Sequence, residues 1–77
     1  MQHLRSARHR RLIDAMVEAR KAAGMSQREA AAKLKRSPAY VSKFEAAERR
    51  HEVCEWVELC ELYRADAAEI ARKLEGR

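Results

Sequence analysis

The apolar positions of the chain recur at helical spacing from its first third onwards. Four of them fall at positions i, i+1, i+4 and i+5, namely Leu12, Ile13, Met16 and Val17. This spacing is typical of an amphipathic helix, which we place at about 9–23. Gly24 follows, and glycine is the residue that best adopts the left-handed conformation just past a helix C-terminus. The pattern therefore predicts that a first helix ends here and a second begins soon after.

Two short segments with their own start signals come next. Ser26 and Glu29 have the spacing of a capping box, so a helix is predicted over about 27–34. Ser37 followed by Pro38 is a second start signal, a capping residue before a proline at the first helical position. It predicts a third helix over about 38–46.

The expected orientation of the third helix follows from its apolar positions. Val41 and Phe44 are three residues apart and should face inward. Tyr40 and Lys43 are then left on the outward side.

The last third of the chain predicts two more helices. Apolar residues at helical spacing place the fourth at about 52–63, and these are Val53, Trp56, Val57, Cys60 and Tyr63. We expect this stripe to belong to the core. Asp66 can cap a short fifth helix at about 67–74.

Length and composition agree with a single all-helical domain. The chain has 77 residues, of which 47% are hydrophobic and 38% charged, with only two glycines and one proline. This size allows one small core, and the composition excludes a disordered tail or a turn-rich β-sandwich. We predict a compact domain of four or five helices over 9–77, preceded by a basic arm at 1–8 with His3 and His9 in or beside it.

Charge is unevenly distributed along the chain. Residues 1–50 carry thirteen basic and five acidic side chains, whereas residues 51–77 carry four basic and seven acidic ones. The first part has a net charge of +8 and the second a net charge of −3. A basic first part and an acidic second part are typical of a protein that presents one face to a polyanion.

Chemistry other than binding has little support. Cys54 and Cys60 are six residues apart in a helix and point in different directions, so we expect no disulfide within that helix and interpret both as small buried residues. His51 and Cys54 have the i, i+3 spacing of two zinc ligands, but a closed structural site needs four. We therefore expect no metal, no cofactor and no enzymatic activity, and a cytoplasmic location, since no export signal or apolar run long enough to cross a membrane occurs.

Two short helices joined by a tight turn over 27–46 form a helix-turn-helix layout. The residues that strengthen this interpretation occur at mutually consistent spacings: Arg20-Lys21-Ala-Ala-Gly24-Met25-Ser26-Gln27, then Ala31, then Ser37-Pro-Ala-Tyr-Val41-Ser-Lys43-Phe44-Glu45, and Arg49. At these positions the chain resembles the Xre/Cro/CI family of phage and bacterial repressors. The resemblance covers about residues 10–70 and implies a lambda-repressor-like helix-turn-helix fold.

The resemblance also implies roles for individual residues. The third helix would be the recognition helix, reading bases in the major groove through Pro38, Ala39, Tyr40 and Lys43. Lys43 is the best candidate for a hydrogen bond to guanine. Phosphate contacts would come from Gln27, Arg28, Lys35, Arg36, Ser37, Arg49 and Arg50. Arg20 and Glu45 match a partly buried ion pair that ties the first helix to the third.

The chain departs from the family pattern at two turn positions. Lys35 and Ala47 stand where relatives usually have glycine. A non-glycine residue at positive φ costs on the order of 1 kcal/mol. Two outcomes are open: both residues accept that cost, or the third helix runs longer and the turn differs.

The function that follows is sequence-specific binding of double-stranded DNA by a transcriptional regulator, most simply a repressor. We expect a homodimer with its recognition helices about 34 Å apart, because one half-site gives too little specificity. The expected dimer interface consists of Trp56, Leu59, Leu62, Ile70 and Leu74. The alternatives are an antitoxin with a toxin as partner, a restriction-modification controller protein, and a protein-binding module that kept the fold but not the DNA.

Overall fold

A computed structural model of the chain describes residues 6–75, which form five helices. In chain order they are α1 (Ala7–Ala22), α2 (Gln27–Lys33), α3 (Ala39–Glu45), α4 (Val53–Tyr63) and α5 (Ala67–Lys73). The predicted all-helical class is confirmed. The predicted helices are each present, with ends that differ from the predicted ones by at most two residues.

Helix α1 begins earlier than the apolar pattern indicated. The hydroxyl of Ser6 accepts a hydrogen bond from the backbone N–H of His9 at 3.1 Å and caps the helix. Ala7 and Arg8, which we placed in the basic arm, are therefore helical, and His9 lies within the first turns of α1. His9 therefore belongs to α1 and not to the arm, because the cap at Ser6 starts the helix two residues before the first predicted position. The rest of the arm, 1–5 with His3, lies outside the described residues.

The predicted capping box of α2 is present. Ser26 Oγ accepts from the Glu29 N–H at 3.0 Å, and Glu29 Oε1 accepts from the Ser26 N–H at 2.8 Å. The predicted cap of α3 is wrong, because Pro38 itself occupies the N-cap position and no side chain caps the helix. The Ser37 carbonyl instead accepts the Tyr40 N–H at 2.9 Å and closes the first turn.

The C-terminal helices have acidic caps. Glu52 and Glu55 form a capping box at the start of α4, which the apolar pattern did not reveal. Asp66 caps α5 as predicted, its Oδ1 accepting from the N–H groups of Ala68 and Glu69 at 3.0 and 3.2 Å.

Helix α1 is the centre of the packing. It contacts α3, α4 and α5, while α2 packs against α3. The buried apolar residues are Ile13, Met16, Ala30, Ala31, Tyr40, Val41, Phe44, Ala47, Leu59, Cys60, Tyr63 and Ile70. Burial raises the pKa of the Cys60 thiol to about 11, so this residue is a packed neutral group.

Helix α4 is turned differently from our expectation. Val53 is 72% exposed and Cys54 is also exposed, so neither belongs to the core we predicted for them. Trp56 is half-buried, and its indole N–H donates to Met16 Sδ at 3.2 Å. Leu59 and Ile70, which we assigned to a dimer interface, are buried in the core of the single chain. That assignment was wrong for these two, because the core of so small a domain needs them.

Four of the helices end in the same way. After α1, α2, α3 and α4 the residue beyond the last turn has a positive φ, and these residues are Gly24, Lys35, Ala47 and Arg64. After α2, for example, the Lys35 N–H donates to Ala32 O and the Arg36 N–H donates to Ala31 O, both at 2.9 Å. This is a Schellman motif, which satisfies the last carbonyls of the helix. Of the two outcomes left open for Lys35 and Ala47, the strained turn is therefore the one present.

None of the helices in residues 6–75 is long and apolar enough to cross a membrane.

Candidate nucleic-acid interface

The candidate interface is the outer surface of α3 with the turns on either side of it. Lys43, Pro38 and Ser37 are exposed, and Ala39 is half-exposed. A shallow cleft on this surface is lined by Ser37, Ala39, Tyr40, Lys43 and Arg49. The structure thus brings three of the four expected base-reading residues to one accessible face, and it places the fourth, Tyr40, largely beneath it.

Tyr40 does not point outward. Its side chain is 5% exposed, since residues 40, 41 and 44 share the inward side of a helix with 3.6 residues per turn. The prediction of its orientation was wrong because only Val41 and Phe44 were used to define that side. Burial raises the pKa of the Tyr40 hydroxyl, and this oxygen has no hydrogen-bond partner among the described residues.

His51 packs against the buried aromatic side chains of α3, beneath the interface. Its ring stacks on Tyr40 with ring centroids 4.3 Å apart and on Phe44 at 4.6 Å. Its Nε2–H donates to the Tyr40 carbonyl, with 3.1 Å between nitrogen and oxygen. Burial lowers the pKa of His51, and the opposing effects of the Tyr40 carbonyl and Glu55 are smaller. The residue is therefore a neutral aromatic support for α3.

Two arginines lie over the ring of Tyr40. The guanidinium carbon of Arg36 lies 4.8 Å from the ring centroid, and that of Arg49 lies 5.1 Å from it. Both distances are typical of cation–π contacts. The buried tyrosine thus holds two of the expected phosphate-binding residues on the surface above it.

Acidic residues of α4 complete this arrangement. Glu55 Oε2 is 3.3 Å from Arg49 Nη2 and 3.7 Å from Arg36 Nη1. Glu58 Oε1 is 3.6 Å from Arg36 Nη2. We call Arg36, Arg49, Tyr40 and Glu55 the arginine–glutamate cluster.

The other expected phosphate contacts are distributed around this surface. Arg28 and Lys35 are exposed. Arg50 is exposed too, but it lines a different cleft, together with Arg8, His9, Leu12 and Leu74. It raises the local positive potential beside His9, whose pKa is lowered first by burial and then by Arg50.

A hydrogen-bonded network ties α1 and α2 to the end of α3. Arg20 Nε donates to Glu45 Oε2 at 2.8 Å, and Arg20 Nη2 donates to Glu45 Oε1 at 3.0 Å. The expected ion pair is therefore present, and its bidentate hydrogen bonds raise the pKa of Arg20. Gln27 Nε2 donates to the same Glu45 Oε1 at 2.7 Å. This uses one of the two N–H groups that we expected Gln27 to offer a phosphate.

Sequence reasoning missed Glu55, Glu58 and His51 as parts of this site. A signal for Glu55 did exist, because Glu52 and Glu55 have the spacing of a capping box directly after the basic segment. No sequence pattern indicated that His51 would stack on α3, since that contact depends on how the connection folds back.

Comparisons with known proteins agree with this geometry. The helix-turn-helix domain family matches residues 2–72 of the chain. A solved structure, an XRE-family like protein from Pseudomonas syringae pv. tomato str. DC3000, is 45% identical in sequence and has a TM-score of 0.82. The match covers 90% of this chain and 86% of that one. No curated protein matches the chain.

Proposed function

The chain belongs to the helix-turn-helix family of the Xre type, and from this membership we propose that it is a sequence-specific regulator of transcription that binds double-stranded DNA through α3. The observation that carries the proposal is the exposed basic face of α3. There Lys43 is exposed and Ala39 half-exposed, and the guanidinium groups of Arg36 and Arg49 both lie over the buried ring of Tyr40. Such a face fits the major groove, with base edges at its centre and phosphates at its margins.

Base reading depends chiefly on one side chain. Lys43 offers an ammonium group one turn into α3 and is suited to the acceptors of guanine. Pro38 and Ala39 can give only apolar contacts, for instance to a thymine methyl group. We therefore infer that direct readout is limited and that DNA shape contributes to specificity. Tyr40 supports these residues from below.

Phosphate binding is assigned to the surrounding polar and basic residues, Gln27, Arg28, Lys35, Arg36, Ser37, Arg49 and Arg50. Their positive charges supply affinity for DNA of any sequence and make it sensitive to salt. Arg36 and Arg49 are the best positioned, since both guanidinium groups rest on the Tyr40 ring. Gln27 contributes with the amide N–H that is not bonded to Glu45.

We further propose that the protein binds its operator as a homodimer and represses transcription by occupying a promoter. A two-fold dimer doubles the length of DNA that is read. With Leu59 and Ile70 inside the core, the apolar residues left for the interface are Trp56, Leu62 and Leu74, each half-buried in the single chain. The proposal is of a DNA-binding protein and not of an enzyme.

Selection of bound sequences from a random DNA library tests the proposed function. We expect an enriched, two-fold-symmetric site and a steep loss of affinity for it as salt rises from about 50 to 200 mM. Failure to enrich any sequence, with weak salt-sensitive binding to all DNA, would contradict a sequence-specific regulator. It would favour a module that binds another protein.

A further inference from the structure

The carboxylate of Glu55 is shared between two roles. Its Oε1 accepts the backbone N–H of Glu52 at 3.0 Å and so caps α4. Its Oε2 lies at 3.3 Å from Arg49 Nη2 and 3.7 Å from Arg36 Nη1. One acidic side chain is thus fixed to the start of a helix and faces two cations of the DNA-binding surface.

Glu55 is bonded to the backbone at the start of α4 and is less exposed than the two arginines it faces. Its side chain is 17% exposed, while those of Arg36 and Arg49 are 40% and 37% exposed. The hydrogen bond from the Glu52 backbone lowers the pKa of Glu55 against a smaller opposing effect of burial, and the positive charges of Arg49 and Arg36 lower it further. The carboxylate is therefore charged at neutral pH and is less exposed than the arginines it faces.

The arginines keep donors for DNA while they contact Glu55. A guanidinium group has five N–H donors in a fixed plane. Each arginine directs one nitrogen, Nη1 or Nη2, at Glu55, and the plane of each lies over the Tyr40 ring. Arg36 Nη2 also faces Glu58 Oε1 at 3.6 Å. These contacts restrict the orientation of each guanidinium group and leave part of its five N–H donors available to a phosphate.

Charge balance gives the contact a second effect. Arg36 and Arg49 contribute two positive charges, and Glu55 and Glu58 place two negative charges within 4 Å of them. Attraction to DNA of any sequence depends on uncompensated positive charge. Such compensation lowers non-specific binding, whereas an oriented guanidinium still forms its contacts in a correctly docked complex.

We propose that Glu55 is a positioning residue that sets DNA specificity: it orients Arg36 and Arg49 on the Tyr40 ring and reduces their attraction for DNA of unrelated sequence. This rests on the proposed function. The ratio of operator affinity to non-specific affinity is the quantity that Glu55 raises.

The substitution Glu55→Gln tests the proposal. Glutamine can still accept the Glu52 N–H, so the cap of α4 is kept while the charge is removed. We expect binding to unrelated DNA to tighten by about threefold, the size of effect typical of one exposed ion pair. Its salt dependence should steepen, and affinity for the selected operator should stay equal or fall.

The matched control is Glu61→Gln, which removes the same charge from an exposed position of the same helix. It changes the net charge of the protein equally but does not alter the arginine–glutamate cluster. Thermal unfolding of both variants establishes that both are folded. Equal behaviour of the two variants would overturn the proposal, because net charge alone would then explain the effect.

A second variant separates positioning from a purely structural role. In an Arg36→Ala, Arg49→Ala background the effect of Glu55→Gln on DNA binding should disappear, because the groups it acts on are gone. An undiminished effect would overturn the proposal. If the unaltered protein selects an operator but Glu55→Gln leaves the specificity ratio unchanged, this inference alone fails. If the unaltered protein binds no DNA, the proposed function fails with it.

Discussion

At the scale of the residue, the left-handed positions are the most unusual feature of the chain. Lys35, Ala47 and Arg64 have φ of 58°, 63° and 59°, where a side chain is strained by on the order of 1 kcal/mol. Each lies in a Schellman motif whose two hydrogen bonds close the preceding helix. The turn of the helix-turn-helix therefore keeps its shape without glycine, at a cost in stability.

Replacing Lys35 by glycine should stabilise the protein by about 1 kcal/mol, since glycine adopts this conformation without strain. The measurement is the free energy of unfolding from urea titration. Lys33→Gly is the matched control, because Lys33 is also an exposed lysine and lies two residues before Lys35, within α2. There glycine should cost about 1 kcal/mol. If both substitutions lower the free energy of unfolding, Lys35 is not strained.

Ala47 has the same backbone conformation but a different expected outcome. Its side chain is buried, so Ala47→Gly relieves strain and also removes a buried methyl group worth about 0.8 kcal/mol. The two effects should nearly cancel in the urea titration. A gain as large as that of Lys35→Gly would mean that this methyl group contributes little to the core.

Lys43→Ala should lower affinity for the selected operator by about 1 to 3 kcal/mol and remove the preference at one base pair in each half-site. The measurement is binding to a panel of operators with single substitutions. Arg28→Ala, at an exposed position of α2, is the control and should weaken binding to all sequences alike. If the two variants lose affinity in the same pattern, base reading by Lys43 is contradicted.

At the scale of the element, α3 is supported by two histidines that lie outside it. Tyr40 and Phe44 present their rings to His51, and His9 of α1 meets the edge of Phe44 with centroids 6.0 Å apart. His51 Nδ1 is buried without a partner among the described residues. Protonating it would place a charge beside Arg36 and Arg49, with Glu55 as the nearby compensating group.

This arrangement predicts that stability falls as the solution is acidified. The folded pKa of His51 lies below its ordinary value of about 6.5, so the unfolded chain takes up the proton first. The contribution of the neutral ring is complete above about pH 6.5 and is lost as the pH falls from there towards the folded pKa. Unfolding midpoints measured between about pH 7.5 and 5 should therefore decrease.

The variant His51→Phe is the control for this pH effect. Phenylalanine keeps an aromatic ring between Tyr40 and Phe44 but cannot take up a proton. Its unfolding midpoint should depend less on pH, with the remainder due in part to His9, whose pKa is also lowered. An equal decrease in variant and unaltered protein would assign the effect to other groups.

At the scale of the whole molecule, the charge asymmetry corresponds to a division of surfaces. The exposed face of α3 and its flanking turns carry cations, whereas α4 and α5 contribute acidic side chains, two of which reach the edge of that face. In the proposed dimer, two copies meet at the apolar residues that are half-buried on α4 and α5. The proposed function thus places operator binding and dimer formation in different parts of the chain.

Sedimentation at tens of micromolar should show a dimer of the unaltered protein. Leu74→Glu should shift it to a monomer, because it places a charge in the proposed interface. Ala68→Glu, at an exposed position of α5, adds the same charge and should leave the dimer intact. A monomeric unaltered protein would contradict the dimer and would leave single half-site binding.

Much of the fold was predictable because it is encoded locally. The capping box at Ser26 and Glu29, the cap at Asp66 and the period of the apolar residues each act within a few positions of the chain. The turn glycine at position 24 is equally local. Misassignments occurred where a decision depends on a neighbouring helix, as with Tyr40, Val53, Leu59 and Ile70.

The number and order of the helices, the excess of basic residues in 1–50, and the family pattern that includes Arg20 and Glu45 can all be inferred from the sequence. Which side of each helix is buried, and which side chains meet across elements, follows only from the packing of the helices. Burial depends on all the helices that pack together, and an amphipathic stripe leaves a range of orientations open. For this reason the arginine–glutamate cluster and the stack on His51 emerged only from the packed molecule.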